Sequence, residues 1–213
     1  MPHTPEAHSA HEDQNAQWTA ERSDVIAAAI RLAVPSGLVG MDYGCGPGHI
    51  GLRLADHFAS MDLVDKSAEV IAGLAGEVAD RQSLRAYILD LTQDSAPGQV
   101  DCVIASMSFH HVRETDRLLE GLARTVRPGG WLVVVDMDAD DGAFHAAKHD
   151  FDGHDGFDRG GLASRIGVQG FEITEVRDVW SGQRWSGDQL IAYSLFMILA
   201  RRGPMVSPHC AEV

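Results

Sequence analysis

The residues of this chain whose types and spacing could do chemistry are Asp42, a run of alternate glycines (Gly44, Gly46, Gly48), Asp65, Asp90 and the pair His110-His111. Residues 39–48 read Val-Gly-Met-Asp-Tyr-Gly-Cys-Gly-Pro-Gly, an apolar stretch running into Asp42 and then into the glycines. Glycine lets a turn tighten and brings backbone N–H groups against a ligand with no Cβ in the way. Two later apolar runs, 61–65 and 86–91, read as strands carrying Asp65 and Asp90 at their ends. A carboxylate at such a tip can accept two hydrogen bonds from vicinal ribose hydroxyls, which suits Asp65. Asp90 is placed to receive an adenine exocyclic amine.

Two ligand classes use such a turn. Gly46-Pro47-Gly48-His49-Ile50-Gly51 is a literal G-x-G-x-x-G with Asp65 downstream, so these residues alone leave NAD open. Asp42 argues against it, because a carboxylate there would face a pyrophosphate with like charge. S-adenosylmethionine, with its ammonium, sulfonium, ribose and adenine, fits the acids better.

The elements that must position these groups alternate. A helical pattern over 16–33 has Val25, Ile26, Ala29, Ile30 and Ala33 on one side, and Pro35-Ser36-Gly37 ends it. Helices are expected over 50–58, 67–79 (Ser67 as N-cap), 114–126 and 158–168, the last ended by Gly170. Strands are expected at 101–106 and within 126–136. Segments 171–180 and 189–200 suit a terminal antiparallel hairpin.

The ordered motifs D-Y-G-C-G-P-G (42–48), L-V-D-K-S (63–67), L-D-L (89–91), S-M-S-F-H-H-V (106–112) and R-P-G-G-W-L (127–132) resemble those of class I S-adenosylmethionine-dependent methyltransferases. The resemblance runs from Trp18 to Arg202 and is to a small bacterial group of undefined substrate carrying H-x-G-F-D-R, here residues 154–159. It implies an α/β fold: a Rossmann-like seven-stranded sheet with helices on both faces and a C-terminal antiparallel hairpin. It implies S-adenosylmethionine as cofactor, held by Asp42, Gly44, Cys45, Gly46, Gly48, Asp65, Lys66, Asp90, Leu91 and Ser106. Methyl transfer to a small molecule by in-line displacement is the expected reaction. The alternatives are a protein that binds S-adenosylmethionine without methylating, and an NAD-dependent oxidoreductase.

At 213 residues and 45% hydrophobic, the chain suits one domain, expected over 16–203 between flexible tails at 1–15 and 204–213. A net charge of −14 without a basic stripe argues against nucleic acid as substrate and favours an uncharged or cationic metabolite. No apolar run is long enough for a bilayer, and Cys45, Cys102 and Cys210 have neither disulfide nor metal-ligand spacing, so a reduced, cytoplasmic protein is expected. The spacing leaves oligomeric state open.

His110 and His111 follow the fourth strand, and one of them is expected to act as general base, since an ordinary imidazole titrates near neutrality. Trp18 and Phe109 are candidates to close over the ligand. The stretch 138–158 is rich in Asp and His but fails as an EF-hand, since Gly142 falls one place late and Ala147 takes the twelfth position. His145 and His149 are four apart without the zincin glutamate. The stretch is read as a solvated acidic lid, and no metal is expected.

Overall fold

A computed structural model of the chain describes residues 5–204 apart from His149, with side chains from residue 9 onward. Of the expected C-terminal tail at 204–213, residues 205–213 lie outside the described residues. Seven strands form one sheet: β1 (Val39–Tyr43), β2 (Ser60–Asp65), β3 (Leu84–Ile88), β4 (Val100–Ser106), β5 (Val126–Met137), β6 (Phe171–Ser186) and β7 (Gln189–Arg202). Their order is β3-β2-β1-β4-β5-β7-β6. The first five run parallel, and β7 lies antiparallel between β5 and β6. The order reverses between β1 and β4, which opens a crevice beyond the strand ends where open α/β sheets bind ligands.

The apolar runs of the central strands are buried on both faces, as parallel strands between helix layers must be. Alternate residues divide between two cores. Met41, Val103, Ala105, Leu132 and Val134 face Leu118, Leu119 and Leu122 of helix α5 (Thr115–Thr125) and Leu162 and Ile166 of α6 (Arg159–Val168). Cys102, Ile104, Val133 and Val135 face Ile26 and Ile30 of α1 (Pro5–Ala33) and Leu54 of the short α2 (Gly51–Leu54).

Three elements depart from expectation. Helix α1 begins at Pro5 and runs through the stretch read as a flexible tail. Asn15 explains part of this: its side chain donates to the Trp185 carbonyl (2.9 Å) and accepts from the Trp185 N–H (2.8 Å), tying the helix to the hairpin. The expected helix over 50–58 is helical only at α2. The helix over 67–79 divides at Leu74 into α3 (Ala68–Gly73) and α4 (Ala75–Val78), with Ser67 capping Val70 N–H as expected.

Gly121 marks where α5 packs closest to the chain after β3, and a Cβ there would drive into the backbone carbonyl of Leu91. Gly→Ala in a helix interior ordinarily stabilises by up to about 1 kcal/mol. Here the sign reverses: Gly121→Ala is expected to lower stability by about 1–3 kcal/mol as overpacking, read from urea denaturation. A gain in stability would contradict this packing.

Candidate functional site

The turn after β1 is left-handed at each of its glycines, with φ of 66° at Gly44, 51° at Gly46 and 83° at Gly48. The N–H groups of Gly44 and Cys45 both donate to the Val64 carbonyl (2.8 and 3.0 Å), lashing the turn to β2. Asp65, at the tip of β2, accepts from Gly46 N–H (3.1 Å) and Ser67 N–H (2.9 Å), so its carboxylate closes one wall of the crevice. Asp42 is buried and accepts from Gly51 N–H (2.8 Å). Burial outweighs that bond and, with the nearby Asp65 charge, raises its carboxyl to about 7.

Three cavities meet here. One of about 380 Å³ runs past Gly44, Gly46, Asp65, Lys66, Ser108 and His111. A smaller one of about 150 Å³ lies beside Arg22, Asp42, Cys45 and Ser106. A third, about 220 Å³, is lined by Trp18, Arg22, His110, His111, Phe144, His145, Arg184 and Tyr193. Met107 borders all three, and among the described residues it is the one non-glycine with a positive φ, 54°. Such strain in a side-chain-bearing residue persists only where the surroundings enforce it, and it concentrates at functional sites.

Residues 41–132 match a family model described as a methyltransferase domain. An uncharacterized methyltransferase of Mycobacterium tuberculosis is 30% identical over 95 residues, 45% of this chain and 48% of the relative. A ribosomal RNA small subunit methyltransferase C of Ectopseudomonas mendocina is 33% identical over 103 residues, 45% of this chain and 31% of that one. The chain thus spans less than half the length of these relatives. Among solved structures, an S-adenosylmethionine-dependent methyltransferase of Methanosarcina mazei superposes with a TM-score of 0.67 (17% identity, 82% of this chain, 97% of that chain). The N-methyltransferase NodS of Bradyrhizobium japonicum, in complex with S-adenosylhomocysteine, gives 0.64 (13% identity, 86% of each chain).

Residues 41–132 thus match a methyltransferase domain, and the sheet has the fold of S-adenosylmethionine-dependent methyltransferases. The crevice fits S-adenosylmethionine on its own geometry. A Cβ at Gly46 would meet nothing within 4 Å, so the turn leaves open space where a ligand would lie. Ser106 Oγ is buried without a hydrogen-bond partner beside the smaller cavity, a donor and acceptor open to a polar ligand group.

The expected site residues divide. Gly44, Gly46, Asp65, Lys66 and His111 line the main cavity, and Asp42, Cys45 and Ser106 border the smaller one. Cys45 is a buried thiol pushed up by burial. Asp90 turns forward onto Thr92 N–H (3.0 Å) and Oγ1 (2.7 Å) and Gln93 Nε2 (3.1 Å), bordering an outer groove instead. Leu91 and Phe109 are core residues, so Phe109 does not close over a ligand as expected. Trp18 does reach the third cavity.

On the far side of Met107, His110 Nδ1 donates to the buried Asp136 Oδ1 (2.6 Å). Partial burial and the neighbouring His110 push the His111 imidazole down to about 4. His145 is buried, and burial with His110 and His111 pushes it to about 3. Arg22 donates to Tyr193 Oη (2.7 Å), and Arg184 lies over the Phe144 ring, 4.3 Å from its centroid. Much of the 138–158 acidity serves local structure: Asp138 pairs with Arg159 (2.5 and 2.7 Å), Asp140 caps Gly142 N–H and Phe144 N–H, and Asp158 caps α6. His149 lies outside the described residues. Sequence reasoning passed over Met107, Arg22, Arg184 and Asp136 as partner of His110, since these meet only across the fold.

Asp42 yields a pH prediction. Its folded pKa, about 7, lies above its ordinary value, so between those values the folded state holds a proton that the unfolded state has released. Stability therefore falls as pH rises from about 4 to about 7, by up to about 1.4 kcal/mol per unit, and levels above. In Asp42→Asn, whose amide oxygen can still accept from Gly51 N–H, that slope is expected to vanish. Equal slopes for both proteins in urea titrations at pH 5, 6 and 8 would refute it.

Proposed function

We propose that this chain transfers the methyl group of S-adenosylmethionine to a small molecule held in the 220 Å³ chamber. The observation that carries the reading is the junction at Met107 and His111, which border both the glycine-turn cavity and the chamber. When bound, the cofactor supplies a methyl carbon activated by a sulfonium. An acceptor lone pair bonds that carbon while the carbon–sulfur pair stays on sulfur, leaving S-adenosylhomocysteine. A hydroxyl, thiol or ammonium acceptor also loses a proton.

In this reading Gly44 and Gly46 offer backbone carbonyls and Ser106 its hydroxyl to the amino-acid end, while Cys45 and Gly48 shape the turn. Asp42 holds the turn closed from beneath, and Asp65 takes the ribose. Lys66 borders the adenine end, and Asp90 orders the Thr92–Gln93 turn beside it, with Leu91 as core support beneath. His110 and His111 meet the acceptor's heteroatom or its proton. Alignment across the junction can supply about 7–11 kcal/mol of barrier reduction. The antiparallel β7 between β5 and β6 speaks against the dinucleotide alternative, as the hairpin is the methyltransferase feature.

The acceptor carries negative charge on an apolar or aromatic body. The overall charge of −14 suggested the opposite, but charges more than about 8 Å away are largely screened at physiological salt. Inside the chamber stand Arg22, Lys148 and Arg184 with Trp18, Phe144 and Tyr193. A relative is named for ribosomal RNA, yet the small chamber favours a metabolite. Soluble location in the cytoplasm and a single catalytic domain over 16–203, extended by the start of α1, belong to the same proposal.

The test is transfer of labelled methyl from S-adenosylmethionine to mixed small carboxylates and phenols, with ribosomal RNA in parallel. Label is expected in a small acid or phenol, and His111→Ala is expected to lower kcat by about 10²-fold or more with S-adenosylhomocysteine affinity kept. Label in RNA alone, or full turnover by His111→Ala, would overturn the reading.

A further inference from the structure

Three imidazoles from two segments of the chain converge on one wall of the chamber. His110 and His111 come from the 3-10 turn Phe109–His111 after β4, and His145 from the turns after β5. Each offers one ring nitrogen such that all three lie within 4.8 Å of one another. The ring centroids stand 4.2 Å (His110–His111), 5.2 Å (His110–His145) and 5.6 Å (His111–His145) apart. Nitrogens bound at about 2.0–2.1 Å to a tetrahedral zinc lie about 3.3 Å from each other, so modest ring rotations would close the set.

Two features go beyond proximity. Asp136 accepts from His110 Nδ1 (2.6 Å) and from the Met137 N–H (2.8 Å), fixing the ring and leaving Nε2 for another partner. That is the carboxylate–histidine arrangement that orients metal ligands. His145 is only 4% exposed, yet neither of its ring nitrogens has a hydrogen-bond partner. Phe151 stacks on it at 3.6 Å between centroids and Phe144 meets it edge-on at 4.8 Å, so the ring is held in place with its polar atoms unanswered. A buried imidazole without partners calls for an ion or water.

We propose that His110, His111 and His145 form a binding site for a divalent transition-metal ion of the zinc class, with a fourth position open to the chamber. Three nitrogen donors without a carboxylate select zinc-like ions over magnesium or calcium. Lys148 and Arg184 line the same chamber and oppose a cation, while Asp136 favours it. Three protein ligands and an open position are the pattern of catalytic zinc. Such an ion would bind the acceptor's heteroatom and ease loss of its proton, a use that rests on the methyl-transfer reading; the site itself does not.

The test uses the full chain, stripped with a chelator, dialysed, and titrated calorimetrically with zinc, with magnesium as comparison and cobalt for its visible spectrum. About one zinc per chain and tetrahedral-type cobalt bands are expected, with no magnesium uptake. His110→Ala and His145→Ala are expected to abolish zinc binding, Asp136→Asn to weaken it about 10–100-fold, and His49→Ala, outside the cluster, to leave it unchanged. Thermal melts check each variant, and His145→Phe, which keeps a ring against Phe151, decides should His145→Ala not fold. No zinc uptake by the folded wild type, or uptake undiminished in His110→Ala and His145→Phe, overturns the site. S-adenosylhomocysteine binding by the same preparation separates the two readings: cofactor bound without zinc defeats the site alone, and zinc bound without cofactor defeats methyl transfer alone.

Discussion

Two carboxylates hold the glycine turn after β1, and the rest of the site depends on them. Asp42 takes the Gly51 N–H from beneath while Asp65 takes the Gly46 N–H from the tip of β2. With Gly44 and Cys45 both bonded to the Val64 carbonyl, the turn is positioned by strand register and not by its own stiffness. That matters because three left-handed glycines in five residues have little conformational preference of their own. The energetic asymmetry between the acids is informative. Asp65 stands at the crevice edge, its two oxygens shared between the Gly46 and Ser67 N–H groups. Asp42 sits in the core, where ionisation is opposed by burial, and its service is to the loop.

Beyond the turn, the β4 end sets the other half of the geometry. Met107 is driven into the left-handed region, and the chain then turns so that Ser108 bonds the Tyr43 carbonyl (3.0 Å) and His110 reaches Asp136 on β5. One strained residue thus separates the crevice from the chamber, while its neighbours bind both walls. The long hairpin and α1 complete the chamber: Arg184 and Tyr193 come from the hairpin, Trp18 and Arg22 from the helix. An acidic protein can in this way enclose a basic, aromatic pocket.

The sheet was legible because its signals are local: apolar runs ending in acids, glycines at alternate positions, Ser67 as a cap. The cofactor side was legible for the same reason, since Gly44, Gly46 and Asp65 lie close to one motif. The N-terminal helix was not, because residues 5–15 are polar and gain their order from a contact 170 positions away, Asn15 with Trp185. The acceptor side was hidden likewise. His145 read as one member of an i, i+4 pair with His149, whereas its neighbours in space are His110 and His111. Asp136 read as a strand end and is instead the partner of a buried imidazole. Phe109, read as a lid, faces the core because the 3-10 turn points it there.

The central claim is that the crevice at the Gly44–Gly48 turn holds S-adenosylmethionine through Asp65, and calorimetric titration with S-adenosylhomocysteine, with NADH as control, tests it most directly. The account predicts micromolar binding of S-adenosylhomocysteine, none of NADH, and loss of binding in Asp65→Ala. Binding of NADH in its place, or S-adenosylhomocysteine affinity unchanged in Asp65→Ala, would contradict it.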